Sequence, residues 1–233
     1  MKRGIFHLHS TFSYDGLNRI KSIKNYAEKN RLNFVILTDH DTISGSKALS
    51  KLIFEENLKI EVPIGAEYKT SEGDIIALFI ESEIQIKEWD RFLLEVKKQN
   101  GILILPHPYD FHNNVEKLAS IVDVIEVFNA RSSAVNNVKS YLLARKLNKP
   151  MIWGSDSHVF FTLNNVVVCY DSSFDTLRSA ILNNNMIPYL VKNSSSLDLF
   201  LSQLKKAVVN RNIKLLLFVI VIFFIKIFKS DTK

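Results

Sequence analysis

The stretch HLHSTFSYDG, residues 7 to 16, sets two histidines on either side of one leucine and places Asp15 six residues beyond the second. Further groups of the same chemical type follow along the chain: Asp39 and His40 in VILTDHD, Glu67 in PIGAE, His107 in ILILPHP, and Asp156 and His158 in MIWGSDSH. Imidazole nitrogens mixed with carboxylates suit Zn²⁺, Mn²⁺ or Fe²⁺ better than Ca²⁺, which prefers all-oxygen cages. The histidines together with Asp15, Glu67 and Asp156 exceed what one tetrahedral ion can take. The surplus points to two or three ions, with a carboxylate such as Glu67 as a bridge. Pairs of ions about 3.5–4 Å apart supply metal-bound hydroxide and stabilise the attacking and leaving oxygens of a phosphoryl displacement.

Each motif alone is weak. Asp39 could cap a helix, and Pro-His-Pro could be a rigid turn. Their placement strengthens the reading. Apolar runs suited to strands cover residues 4–9, 34–38, 62–66, 75–80, 102–105, 122–128, 151–153 and 166–170, separated by amphipathic stretches such as KEWDRFLLEVKKQNG and AVNNVKSYLLARKLNK. That alternation predicts βαβ units and a mostly parallel sheet, and the number of units in so short a chain favours a barrel over a doubly wound sheet. Five of the six histidines then fall where a strand runs into its following loop, the end at which catalytic groups of (β/α) barrels converge. Within H-x-H at 7 and 9 and D-x-H at 156 and 158, an extended backbone would turn both side chains to one face.

Taken together and in this order, HLHS…YDG, TDHD, GAE, PHP and GSDSH resemble the PHP (polymerase and histidinol phosphatase) domain superfamily, over about residues 4 to 170. The single-domain layout is similar to its small stand-alone phosphoesterases. The resemblance implies an α/β fold, a distorted (β/α)7 barrel, and a two- or three-metal site hydrolysing phosphate mono- or diesters. By motif, the implied ligands are His7, His9, Asp15, His40, Glu67, His107, Asp156 and His158. Many members carry one more histidine where this chain has Asp74, in GDIIALFI. Asp74 is therefore a candidate ligand of a carboxylate-rich third site, or a turn residue before a strand. In IEVFNAR, Glu126 lies inside an apolar run and needs something to hold it. Arg131 at the end of that run is a candidate phosphate grip, or it pairs with a surface acid. Asp156, or a histidine neighbour, would handle the proton. His112 reads as a loop residue.

Composition narrows the classes. The net charge of +6 comes from the end of the chain: Lys205 onward holds seven basic residues and one acid, and the remainder balances 23 bases against 23 acids. A neutral body gives no ground for stable duplex nucleic-acid binding. Small phosphorylated compounds or short oligonucleotides are the expected partners. A 5′–3′ exonuclease or nucleotide phosphatase acting on RNA or DNA ends or nucleoside bisphosphates is one alternative; hydrolysis of a non-phosphate ester is another. The single cysteine, Cys169, excludes an internal disulfide framework.

Residues 1–193 read as the hydrolase domain and 194–212 as a basic linker helix. LLLFVIVIFFI, residues 215–225, is uninterrupted apolar sequence between Lys214 and Lys226. It makes 213–229 a candidate C-terminal membrane anchor, helped by lysines that can snorkel. With no signal-peptide pattern in MKRGIFHLHS, the expectation is a cytoplasmic body tethered to a membrane. A tethered metal-binding protein without turnover is the remaining alternative.

Overall fold

The computed structural model describes residues 1–230. Strands and helices follow one another as β1 (Lys2–Phe6), α1 (Ile20–Lys29), β2 (Phe34–Ile36), α2 (Ser44–Glu55), β3 (Gly65–Thr70), β4 (Gly73–Leu78), α3 (Trp89–Lys98) and β5 (Ile102–Leu105). They continue as α4 (Val115–Ile121), β6 (Val124–Asn129), α5 (Ala134–Leu147), β7 (Met151–Gly154), β8 (Val166–Tyr170), α6 (Leu177–Leu182), β9 (Ile187–Val191), α7 (Ser196–Val209) and α8 (Ile213–Ser230). The apolar runs marked most of the strands, but the run at 62–66 overlaps β3 by only Gly65 and Ala66, so Glu67 lies inside a strand and not after it. Their pairing differs from the expectation of a parallel barrel.

The described strands form two sheets, ordered β2-β1-β8-β9 and β3-β4-β5-β6-β7, rather than one closed ladder. Two features break the ring. β3 and β4 form an antiparallel hairpin, so β4 runs against the helix-linked strands. The antiparallel strand β8 then takes the free edge of β1 over Lys2–Gly4, which leaves no room there for β7. Among the described residues, strand pairing between the sheets is limited to isolated bridges, Leu8 with Ser157 on one side and His40 with Glu67 on the other. Those seams lie just beyond the ends of β1, β2 and β7. At the first seam, His7 and His9 exchange backbone bonds with Ser157, and the Asn18 amide donates to the carbonyls of His9 and Ser157.

Despite the broken ladder, both sheets share an interior. Phe6, Ile36, Ile76, Ile104, Val124 and Ile152 belong to a single buried cluster. Each such side chain contributes about 1.5–3 kcal/mol through burial. Helices α1 and α2 bury Ile23, Ala27, Leu49 and Ile53 against Ile5, Val35 and Leu37 on one outer face. On the other, Phe92, Val96, Leu118 and Leu143 cover the second sheet.

The C-terminal expectations are corrected. α7 is no linker: Asp198 and Ser202 are fully buried, on the side facing the strand ends. Among the described residues, no helix is long and apolar enough to cross a membrane. α8 packs along α7, with Val219 buried between them. The physical reason is length. Its eleven-residue apolar run covers about 17 Å of helix against a hydrocarbon core of about 30 Å, and Lys214, Lys226 and Lys229 all fall within the helix.

Candidate metal centre

Beyond the ends of β1, β5 and β7, three side chains are aimed by a left-handed backbone: His7 (φ 61°), His107 (φ 29°) and Asp156 (φ 44°). L-residues other than asparagine and aspartate rarely adopt this conformation, and such strain gathers at functional sites. His7 and His9 do converge, with ring centroids 5.3 Å apart. They do so through the turned backbone at His7, not through the strand alternation expected from the sequence.

Glu67, inside β3 and 1 % exposed, stands at the centre. Its Oε2 lies 3.3 Å from Nε2 of His7, Nε2 of His9 and Nδ1 of His40, and its Oε1 lies 3.0 Å from Nε2 of His107. Asp156 Oδ1 is 3.4 Å from His9 Nε2 and 3.3 Å from His158 Nδ1. Asp15 Oδ2 is 3.4 Å from His40 Nε2 and 3.3 Å from His158 Nε2. Three overlapping groups result: His9, Asp15, His40 and His158; His7, His9 and Asp156; His7, Glu67 and His107. Within each, one candidate ligand atom per residue lies within 4.8 Å of the others.

The electrostatics follow from burying acids beside imidazoles. Burial would lower His7, but Glu126, Asp156 and Glu67 outweigh it and hold the imidazole well above its ordinary value. Burial also works against His40 and His107, yet Glu67, joined by Asp15 at His40, carries each to about 9. His9 goes the other way, to about 3, because it is buried beside His158 and His40. Against the upward pull of burial, Glu67 is held well below the carboxylate range by His7 and His40, and Asp156 by His7 and Arg131.

The donor set fits divalent cations. Neither ring nitrogen of His9 has a hydrogen-bond partner although the residue is fully buried, and His107 Nδ1 is similarly unpartnered. Buried polar atoms left in this state are costly unless something else binds them.

Around the groups stands a supporting layer. Glu126 Oε1 accepts from His7 Nδ1 at 2.8 Å, which leaves His7 Nε2 facing Glu67 and the interior. Its Oε2 accepts from the His107 amide and from Asn129 Nδ2. A carboxylate fixing the far nitrogen of a ligand imidazole sets its tautomer and orientation. Gly154 makes room for it: a methyl group at that position would collide with Glu126 Oε1. Asp39 caps no helix. It accepts from the Ser10 amide at 2.5 Å and hydroxyl at 2.7 Å, tying the Asp15 loop to the end of β2.

Asp74 stands apart from the three groups. It lines the cavity above them, and its backbone carbonyl lies 2.7 Å from His112 Nε2. Arg131 also lines that cavity, of about 350 Å³, together with Tyr14, Phe111, Gln203 and Lys206. Its guanidinium reaches α7, where Nη2 donates to Ser202 Oγ at 2.8 Å and Nε is 3.8 Å from the buried Asp198. These α7 partners were missed in the sequence. Their signal was a polar stripe at Asp198, Ser202 and Lys206, spaced four residues apart along one face of the helix.

The PHP domain model matches residues 6–194, which include every proposed ligand. The chain belongs to the PHP domain family. It is 33 % identical over 150 residues to the uncharacterized protein MJ1587 of Methanocaldococcus jannaschii, covering 57 % of this chain and 85 % of that one. In structure it resembles a two-domain Bacteroides vulgatus protein containing a predicted PHP-like metal-dependent phosphoesterase, at a TM-score of 0.69 and 21 % identity. That match covers 82 % of this chain and 65 % of the larger one. An amidohydrolase of Chromobacterium violaceum, solved with sulfate and without metal, matches at a TM-score of 0.55 and 15 % identity, over 66 % of this chain and 87 % of that one.

Proposed function

We propose that this PHP domain is a metal-dependent phosphoesterase that hydrolyses phosphate mono- or diesters. The observation that carries the reading is the overlap of the three groups, which share the buried His7 and His9 and whose Asp15, His40, Glu67, His107, Asp156 and His158 line a cavity walled by Arg131. His7, His9, His40, His107 and His158 with Asp15, Glu67 and Asp156 would hold two or three Mn²⁺, Zn²⁺ or Fe²⁺ ions. When bound, such ions supply a lowered pKa for coordinated water and neutralise charge on the phosphoryl oxygens.

The chain's own residues do the rest. Glu126 keeps His7 in one tautomer, and Asn129 holds Asp156 from the side, with Nδ2 3.3 Å from Oδ2. Arg131, braced by α7, binds the non-bridging oxygens and orients the ester for in-line attack. Water oxygen bonds to phosphorus, the ester P–O bond breaks, and the alcohol departs with a proton. Asp156 or its neighbour His158 passes that proton on.

The test is Mn²⁺- or Zn²⁺-dependent release of p-nitrophenol from p-nitrophenyl phosphate, with 5′-phosphorylated oligonucleotides run in parallel. Activity is expected to disappear in the His7→Ala/His9→Ala variant and on chelation. Turnover that survives both overturns the reading. Faster release of nucleotides than of p-nitrophenol moves the assignment to a nuclease.

A further inference from the structure

The cavity over the ligand groups has an apolar neighbour. Leu199 and Gln203 of α7 line that cavity and also a cleft of about 140 Å³ between α7 and α8. Phe200, Phe218, Val219 and Ile222 form most of the rest of the cleft. One turn of α7 therefore separates a polar chamber floored by imidazoles from a hydrocarbon-lined one. Lys206 stands on the polar side of this ridge, its Nζ 5.1 Å from the centre of the Tyr14 ring, and Tyr14 itself stacks on His40.

Two adjoining volumes of opposite chemistry match the two ends of an amphiphile. Together they fall in the ~300–1,000 Å³ range of small-molecule sites. We infer that the substrates are phosphate esters of long-chain alcohols, with the phosphoryl group over His40, Glu67 and His107 and the hydrocarbon chain across Leu199 into the α7–α8 cleft. The inference rests on the phosphoesterase reading and adds the class of alcohol. The ordering of charge supports it. Arg131 and Lys206 lie on the phosphoryl side of the ridge, and the described part of the cleft beyond it carries no charged side chain. Its apolar lining is also open to a ligand, since Phe218 is 63 % exposed and Ile222 38 %. Exposed apolar surface continuous with a polar site marks a ligand groove more readily than a solvated face.

The experiment uses the full chain with Mn²⁺ and a series of methyl, butyl, hexyl and octyl phosphates below their micelle concentrations, read as inorganic phosphate released. KM is expected to fall by roughly two- to fourfold per added methylene until the cleft is full, with kcat nearly constant. Phe218→Ser, an exposed change outside the catalytic machinery, should remove most of that gain while sparing methyl phosphate. A calorimetric comparison of methyl- and octylphosphonate binding is independent of turnover, because the C–P bond is not cleaved. Equal affinity for the two phosphonates overturns the inference whether or not any ester is hydrolysed. So does a flat KM series. If that flat series comes with a doubled mass by light scattering, the cleft belongs to a second copy; if it comes with sedimentation on phosphatidylserine vesicles, it belongs to a bilayer. Loss of all turnover with octylphosphonate still preferred would refute the phosphoesterase reading alone.

Discussion

On the floor of the cavity, charge is buried and the backbone is strained; on the α7–α8 wall, apolar side chains such as Leu217 and Phe218 reach the surface while Asp198 and Ser202 are buried. The site draws from both sheets: His7, His9 and His40 follow β1 and β2, while Glu67 lies in β3 and His107, Asp156 and His158 follow β5 and β7 of the other. The wall is one continuous stretch of chain. It touches the floor through Arg131, held by Asp198 and Ser202, and through Lys205, whose Nζ donates to the Ser13 and Gly16 carbonyls. The contrast separates two tasks. A site that must bind ions needs many groups fixed from several directions, whereas one that sorts substrates can be assembled from a single helix pair.

If that division is right, changes to the floor should destroy turnover and changes to the wall should retune it. The largest effect belongs to His7→Ala/His9→Ala, expected to lower kcat/KM by more than about 100-fold, since even the outer partners of a ligand are worth ~10–100-fold. Elemental analysis of the purified variant should show fewer bound ions. Glu126→Gln comes next. It should weaken metal binding about 10-fold or more, read by competition with a chelator, while the metal-free fold still melts cooperatively. Gly154→Ala should mimic it by pushing the same carboxylate away; unchanged metal affinity there would detach Glu126 from the site. On the wall, Ser202→Ala should leave kcat within a few-fold and raise KM about 3- to 10-fold through a looser Arg131, the net value of a hydrogen bond to a charged group being a few kcal/mol at most. A loss as severe as that of the double histidine variant would erase the distinction between wall and floor.

The smallest effect expected is one of pH. In the metal-free protein His40 and His107 sit at about 9, against 6.5 for an ordinary histidine. A folded-state pKa above the unfolded one means that their stabilisation is complete below pH 6.5 and lost as the pH rises towards 9. The Tm of metal-free protein should therefore fall across that window. With Mn²⁺ bound the fall should vanish, because the ions require unprotonated imidazoles. A Tm that climbs between pH 6.5 and 9 would contradict the ion pairing on the floor.

Legibility in the sequence divides along the same line. The candidate site could be read because histidine is scarce and five of the six stand near strand ends, a pattern that packing alone does not produce. The strands were legible from their apolar runs. Their directions were not, because period-two hydrophobicity is the same for parallel and antiparallel neighbours; the β3–β4 hairpin and the capture of β1 by β8 are set by turn geometry and edge competition. Asp74 read equally as a ligand or a turn residue from its place in GDIIALFI; it lines the cavity outside the three ligand groups. The C-terminal segment was misread for a related reason. Its apolar run suggested lipid, but hydropathy alone does not distinguish lipid from a neighbouring helix.

The seam between the sheets has a mechanical side. Where the ladders give out, Leu8 meets Ser157 and His40 meets Glu67, each through a lone bridge, and the imidazoles and carboxylates crowd the same edges. Ions seated there would act as rivets across edges where the two ladders share no continuous strand pairing, above the apolar interior they have in common. Stripping them should loosen the rim before the apolar interior gives way, so amide exchange at His9 and Ser157, whose N–H groups make the bridge bonds, would register the loss of metal well before unfolding.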